Sequence, residues 1–438
     1  NNKKRAVFGT PDKLYAHDGD LITDITPLVT AVTLANPFNT SVGSAVVTCS
    51  DGSHNQKAGN YLLINTTVSG TIGGNLFLNN NVYQITSVIN TNVFTINASS
   101  AAAATSTTTG GSVVFSYLLP TGNSIATGGL GYGAAAFQAT VCASQTRAWN
   151  QAASADATDI VFDISQWSLD NWGDDVIANR NGGNIYYFDS DASTVPIRAT
   201  SITTSPISVN SIVVSPNDRH LICLGSNSYS PTATVSGTFD PMLVRWSDQD
   251  DRTNWVPSVS STSGEVVLTD GTKIIGGLRS RSAIHIWTDN AMWTMQFVGP
   301  PFTFRFTPAG TNCGMIAPHA AVDYNGISYW MGYDNFYKYD GQVRVLDCTV
   351  RRFIFDRLNT KYKAKVYTGV NSEFKEIIWL YASDESGVTE CDSYVIFSPE
   401  NNYWTYGTGV FTTFADKEVF GNTITTGISI NADGSSTG

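Results

Sequence analysis

Charge is what this chain has least of. Only 14% of its 438 residues are Asp, Glu, Lys or Arg, against about a quarter in an ordinary soluble domain. The balance leans acidic, 36 Asp and Glu against 25 Lys and Arg, for a formal net charge of −11. A chain of this sign repels phosphate, which excludes a protein that coats nucleic acid through counterion release. Cysteine patterning is also missing. The six cysteines stand at positions 49, 142, 223, 313, 348 and 391 with no C-x-x-C pair and no dense framework, so buried free thiols are expected. No apolar run approaches the ~20 residues of a membrane span. No secretory leader is visible, and no membrane anchor is expected. Residues 1–5 and 435–438 read as fragment edges, so a longer natural protein is expected.

Ser, Thr, Asn and Gly fill the space that charge leaves, and aromatic residues reach 11%. The richest stretch runs from Arg279 to Leu346. It contains Ile284-His285-Ile286-Trp287-Thr288-Asp289, then Met292-Trp293-Thr294-Met295, then Tyr329-Trp330-Met331-Gly332 and Phe336-Tyr337-Lys338-Tyr339-Asp340-Gly341. Each run is short and alternating and ends in Asp, Asn or Gly, the signature of strand and tight turn. The unit recurs at Leu14-Tyr15-Ala16-His17-Asp18, Ile185-Tyr186-Tyr187-Phe188-Asp189, Val244-Arg245-Trp246-Ser247-Asp248 and Tyr394-Val395-Ile396-Phe397-Ser398. With Phe188, Trp246, Trp287, Tyr339 and Phe397 as markers, the period is roughly 40–60 residues, that of propeller blades. An all-β fold is expected, a β-propeller-like domain of about six blades. Trp287, Trp293 and Trp330 should lie mostly buried in or between blades.

Residues 1–27 read as the first propeller strands, with turns at Pro11-Asp12 and Asp18-Gly19-Asp20. At Leu28 the composition changes. Between Asp24 and Arg147 the only charged residues are Asp51 and Lys57, and no tryptophan precedes Trp149. Residues 28–119 are therefore expected to be an inserted small β-barrel or sandwich. Five strands are expected, around residues 44–49, 60–64, 82–88, 93–96 and 113–117; Ala98 to Gly111 reads either as a plain linker or as part of the module. Insertion into a blade loop restores the repeat, since loops tolerate it. Residues 120–438 form the remainder of the propeller, with its C-terminal end incomplete. Trp149 resumes the aromatic pattern.

Catalytic chemistry is sparse. The five histidines, His17, His54, His220, His285 and His319, lack metal-type spacing, and His285 reads as a satisfied sheet residue. Asp248, Asp250 and Asp251, with Ser247, Thr253 and Trp255, resemble the Asp-box turn of sialidase propellers, but the glycine expected there is missing; a hairpin turn is the plainer reading, a Ca²⁺ site the sharper one. The run Gly128-Gly129-Leu130-Gly131-Tyr132-Gly133 has no phosphate-loop Lys. No Gly-x-Ser-x-Gly elbow occurs. No catalytic, cofactor-binding or metal residue is assigned, and no cofactor is expected.

Several motifs together resemble the tail hub or nozzle proteins of short-tailed bacteriophages, the packaged-DNA stabilisation family. They are Trp167-Ser168-Leu169-Asp170-Asn171-Trp172-Gly173-Asp174, Arg219-His220-Leu221 with Leu224-Gly225, and Val244-Arg245-Trp246-Ser247-Asp248-Gln249. Trp287-Thr288-Asp289, Gly299-Pro300-Pro301, Gly314 to Pro318 and Tyr329-Trp330-Met331-Gly332 belong to the same set, as do Tyr339-Asp340-Gly341 and Trp404-Thr405-Tyr406-Gly407-Thr408. The resemblance covers Arg5 to Pro27 and about Gly128 to Gly409, and the segment from Asn36 to Tyr117 is similar to a small module inserted there in some relatives. The sequence departs from the family in having no region after Gly438, where relatives continue.

The resemblance implies a non-enzymatic virion protein, a homo-oligomeric ring of six copies at the distal end of the tail. Its partners would be the portal and adaptor rings and tail fibre, spike or needle proteins, with genomic DNA passing through unbound. The alternatives from the residues alone are a polysaccharide-degrading propeller enzyme of the sialidase or glycosidase type, and a host-glycan-binding tail adhesin built on the uncharged module.

Overall fold

The computed structural model describes residues 5–10, 13–66, 72–76, 78–120, 164, 166–191, 198–232, 237–281, 283–385, 387–411 and 413–414. The Pro11-Asp12 turn, the Gly128–Gly133 run, Cys142, Trp149 and the C-terminal end lie outside the described residues. The chain divides into two compact units: residues 1–122 with 171–178 and 185–202, and residues 123–170 with 179–184 and 203–438. The protein is all-β. Six sheets of three or four antiparallel strands, each joined in sequence order, give a six-bladed β-propeller arrangement, and a seventh sheet of eight strands is a nearly closed barrel. The blades span residues 6–24, 167–201, 209–267, 274–311, 321–346 and 367–408.

In the first unit, the first blade pairs Ala6–Gly9, Leu14–His17 and Ile22–Asp24. The eight-stranded sheet takes up the chain at Leu28–Ala35 and returns it at Ser112–Leu118. It has its own core, in which Phe38, Val47, Leu62, Ile85, Phe94 and Phe115 are fully buried. Five of its strands fall at the expected places. Three more, Leu28–Ala35, Phe38–Thr40 and Ser106–Thr109, were not anticipated, and the last lies within the Ala98–Gly111 stretch. The first two are one chain bent at Asn36-Pro37, paired throughout with a second chain bent at Gly110-Gly111. The corner is held by Asn36 N–H donating to the Gly111 carbonyl at 2.7 Å and Gly111 N–H to the Asn36 Oδ1 at 2.8 Å. Asn36 takes φ +50° there, a left-handed conformation that asparagine tolerates.

The module's two ends meet where Leu119 N–H donates to the Pro27 carbonyl at 2.9 Å. A self-contained core on a neck this narrow can be removed without breaking a strand of the propeller. Joining Pro27 to Pro120 through a short glycine linker is expected to leave a folded β-protein, read by far-UV circular dichroism and a cooperative melt. Loss of all soluble β-structure would show that the module is integral to the fold.

In the second unit, the first strands of successive blades lie against one another: Val209–Val214 on Ile274–Arg279, that strand on Ala321–Tyr324, and Ala321–Tyr324 on Tyr367–Asn371. Between the sheets run two apolar layers. One carries Trp287, Trp330, Phe336 and Trp379 across the last three blades. The other carries Val244, Trp246, Ile286 and Phe304 between the third and fourth. Trp287 and Trp330 are fully buried, whereas Trp293 is half-buried against the second layer.

The aromatic markers need one correction of register. Phe188, Trp246, Tyr339 and Phe397 sit at or near the end of the third strand of their blades. Trp287 instead closes the second strand, Ile284–Thr288, and the third strand of that blade is Ala291–Gly299 with Phe297 near its end. Two neighbouring strands of this blade both end in an aromatic residue followed by a turn, which is why the sequence pattern locked onto the wrong one.

Candidate functional site

The histidines are dispersed and occupied. His54 Nδ1 accepts the Gln56 amide at 3.0 Å while Nε2 meets the Asn90 carbonyl at 3.0 Å. His285 Nδ1 lies 2.7 Å from the Ser328 hydroxyl, and the ring meets Trp287 and Tyr339 edge-on. Burial holds its pKa down at about 4, with Asp323 pulling weakly the other way. His319 Nε2 reaches the Trp167 carbonyl at 3.2 Å, and burial lowers its pKa too. His17 ends a strand of the first blade. Among the described residues no three His, Cys, Asp or Glu side chains converge as metal ligands.

The acidic loop at Asp248–Asp251 is a turn whose oxygens are committed. Asp248 Oδ1 accepts the Thr262 amide at 2.7 Å, the Thr262 hydroxyl at 2.6 Å and the Gln249 amide at 2.9 Å, and its Oδ2 takes Asn254 Nδ2 at 2.9 Å. Burial pushes the Asp248 carboxyl up, but the Thr262 and Gln249 donors together hold it below the usual range. Asp251 takes the Thr253 amide and hydroxyl, and Asp250, at φ +56°, pairs with Arg219 at 3.0 Å. The hairpin-turn reading is the one the geometry fits.

Behind this loop lies a cluster that residue spacing did not reveal. Ser215 Oγ donates to Asp218 Oδ1 and His220 Nδ1 faces Asp218 Oδ2, both at 2.5 Å, and His220 Nε2 meets the Thr262 Oγ1 at 3.0 Å. Carboxylate, imidazole and hydroxyl in that order have the connectivity of a nucleophile triad. Here Thr262 has already given its one proton to Asp248, which can only accept. His220 is fully buried beside Phe297 and Phe304, with no room for a substrate. The cluster instead ties Arg219-His220-Leu221 to Trp246-Ser247-Asp248: Leu221 N–H donates to the Ser247 Oγ at 3.0 Å, and the Ser247 and Asp250 amides return to the Leu221 and Arg219 carbonyls at 2.9 Å.

A cavity of about 270 Å³ opens where first strands converge, between Trp167–Asp170, Asn210–Val213, Gly276–Arg279 and Pro318-His319. Ser168 Oγ both donates to the Ile212 carbonyl and accepts its amide at 3.1 Å, and Asp170 Oδ2 accepts the Val214 amide at 2.7 Å. Two side chains spaced as on one strand face thus satisfy the open edge of the next blade. Asp170 also pairs with Arg279 at 3.3 Å. It is the one carboxylate in the cavity wall, whereas glycoside hydrolysis uses two, about 5–9 Å apart.

No protein-family profile matches the sequence, and no curated protein does. Solved structures are similar at low identity. An endosialidase of phage phi92 is 12% identical with a TM-score of 0.23, over 99% of this chain and 62% of that one. A putative 6-phosphogluconolactonase from Bacteroides uniformis is 12% identical with a TM-score of 0.35, over 86% and 88%. Variants of the Synechocystis apocarotenoid oxygenase are about 10% identical with a TM-score of 0.31, over 88% and 83%. The chain spans less than two thirds of the endosialidase chain it aligns with. Values this low carry no argument about chemistry.

Proposed function

We propose that this chain is a structural subunit of a short-tailed phage tail, a hub or nozzle ring below portal and adaptor that closes and then conducts DNA exit. It acts without catalysing a reaction. One observation carries the reading: several of the motifs that resemble the tail-hub family pack on one another, in two groups. Arg219-His220-Leu221 is tied to Trp246-Ser247-Asp248 as described. Trp330 of Tyr329-Trp330-Met331-Gly332 donates through Nε1 to the Cys313 carbonyl at 2.8 Å, and the Ile316 amide of the Gly314–Pro318 run reaches the Met331 carbonyl at 3.1 Å. Gly314 packs on Trp287-Thr288-Asp289 so closely that any Cβ would collide with the Asp289 carbonyl. Motifs that pack on one another within the third blade and across the join of the fourth and fifth are explained by how the propeller is held together, and no sugar or nucleotide chemistry is needed to explain them.

The acidic balance suits a conduit, because a basic lumen would hold the duplex. No helix among the described residues is long and apolar enough to cross a membrane. The test is electron microscopy of the purified protein and of phage particles labelled for this chain. Six-fold rings that form without DNA, and label at the distal tail, are expected. Unlabelled tails overturn the reading, as would sugar release from host capsule that disappears in Asp248→Ala. Duplex binding should be weak and lost with added salt; tight sequence-specific binding at physiological salt would sink the conduit.

A further inference from the structure

We infer that the strand Leu28–Ala35 is a self-association edge, where two copies of this chain pair antiparallel about Val32. The strand ends the eight-stranded sheet. One side is laddered to Ser112–Leu118, and among the described residues no strand lies on the other. Its sequence, Leu-Val-Thr-Ala-Val-Thr-Leu-Ala, contains no charge, proline or glycine, and six of its eight residues are exposed. An open row of amide and carbonyl groups on a long apolar strand is a template for another strand.

Most of the other outer edges are defended. The outer strands of the first two blades are three and two residues long. Those of the next three carry Glu265, Arg305 with Pro308, and Arg344. Ser106–Thr109, at the far end of the module's sheet, is four residues with a register shift. Tyr403–Thr408 is six residues long and uncharged, and the short outer strands Thr200–Ser201 and Ser106–Thr109 also lack charge. Leu28–Ala35 has eight residues, no charge and no proline, and its one register shift is confined to its start, between Leu28 and Thr30; charge, proline and irregularity are what natural sheets use against unwanted pairing.

The occupant that fits is a second copy. Two strands related by a two-fold axis pair with one residue opposite itself, so the regular segment sets the register. The ladder to the neighbouring strand shifts between Thr30 and Leu28, and the chain turns at Asn36. The regular stretch Thr30–Leu34 is centred on Val32. Across that axis Thr30 faces Leu34 and Ala31 faces Thr33, so every pair joins small, branched or aliphatic side chains suited to a sheet. Val32 and Leu34 are half-buried on the barrel side, Ala31 and Thr33 exposed on the other, so the outer faces of both copies stay on one side. Charge matches as well. The module's two charges are Asp51, buried and hydrogen-bonded to the Tyr117 hydroxyl at 2.5 Å, and Lys57, in the connection between Val46–Ser50 and Tyr61–Thr66. Neutral edge meets neutral edge without repulsion.

The inference is independent of the tail reading, because ring contacts repeat head to tail whereas this pairing closes on a two-fold. It is tested on the full chain by sedimentation equilibrium. Wild type is expected to pair through this edge, as a dimer of chains or of rings, and A31K/T33K, which sets lysine opposite lysine twice, to raise the dissociation constant of that pairing at least about tenfold. A31K/T33D sets a lysine of one copy opposite an aspartate of the other twice and should restore the dimer, which also shows that the edge tolerates substitution. A monomeric wild type overturns the inference. So does an assembly indifferent to both variants, or an A31K/T33D chain that associates no better than A31K/T33K.

Discussion

Replacing Trp330 with alanine is expected to cost the propeller about 3–5 kcal/mol. The side chain is fully buried, its ring stacks on Tyr337 at 5.5 Å and meets Trp287 at 5.3 Å, and its Nε1 holds the Cys313 carbonyl at 2.8 Å. Alanine removes the packing, opens a cavity between blades and leaves that carbonyl unpaired. Trp330→Phe keeps most of the packing and loses the hydrogen bond, so about 1–3 kcal/mol is expected. The readout is urea unfolding followed by tryptophan fluorescence. No tryptophan precedes Trp149, so the signal reports the propeller and not the inserted module, whose separate core need not melt with it. A shift of less than about 1 kcal/mol for the alanine variant, typical of a surface site, would show that this aromatic layer does not hold the blades together.

The propeller was legible because its signal is local. A blade strand alternates, ends in an aromatic residue and turns at Asp, Asn or Gly within a few residues, and the sheets at residues 185–188, 243–246, 336–339 and 394–398 follow that pattern. The same locality caused the slip at Trp287, where adjacent strands carry the same ending. In the module, Leu28–Ala35 was missed because apolar residues stand side by side in it, so no alternation marks the barrel side, where Val32 and Leu34 are half-buried. Ser106–Thr109 was missed because Ser-Thr-Thr-Thr reads as a polar connection. The Asp218–His220–Thr262 cluster was invisible for a different reason: its hydroxyl lies 42 residues from its imidazole, and pairing at that range is set by how two loops of one blade fold together. The acidic turn at Asp248 could be read from residue types, but the commitment of its oxygens to Thr262 could not.

Stability of the propeller is expected to fall as the pH drops from 6.5 to about 4, and His285 supplies much of that slope. The side chain is buried at 5% exposure and stays neutral in the fold, since burial lowers its pKa from 6.5 to about 4. In the unfolded chain it protonates near its ordinary value. The unfolded state therefore takes up a proton across this window and the folded state does not, so the contribution is fully present above 6.5 and declines as the pH falls toward 4. A shift of this size is worth about 3 kcal/mol. His319, buried and lowered in the same sense, adds to the slope. Asp323 opposes the effect at His285 by favouring the imidazolium. His285→Asn retains a partner for the Ser328 hydroxyl and cannot titrate, so its stability should depend less steeply on pH than that of wild type between 6.5 and 4. Carboxylates that titrate in the same range are common to both proteins and cancel in the difference. Parallel curves for the two would mean that His285 is protonated in the folded state, and the buried, neutral imidazole between the fourth and fifth blades would have to be abandoned.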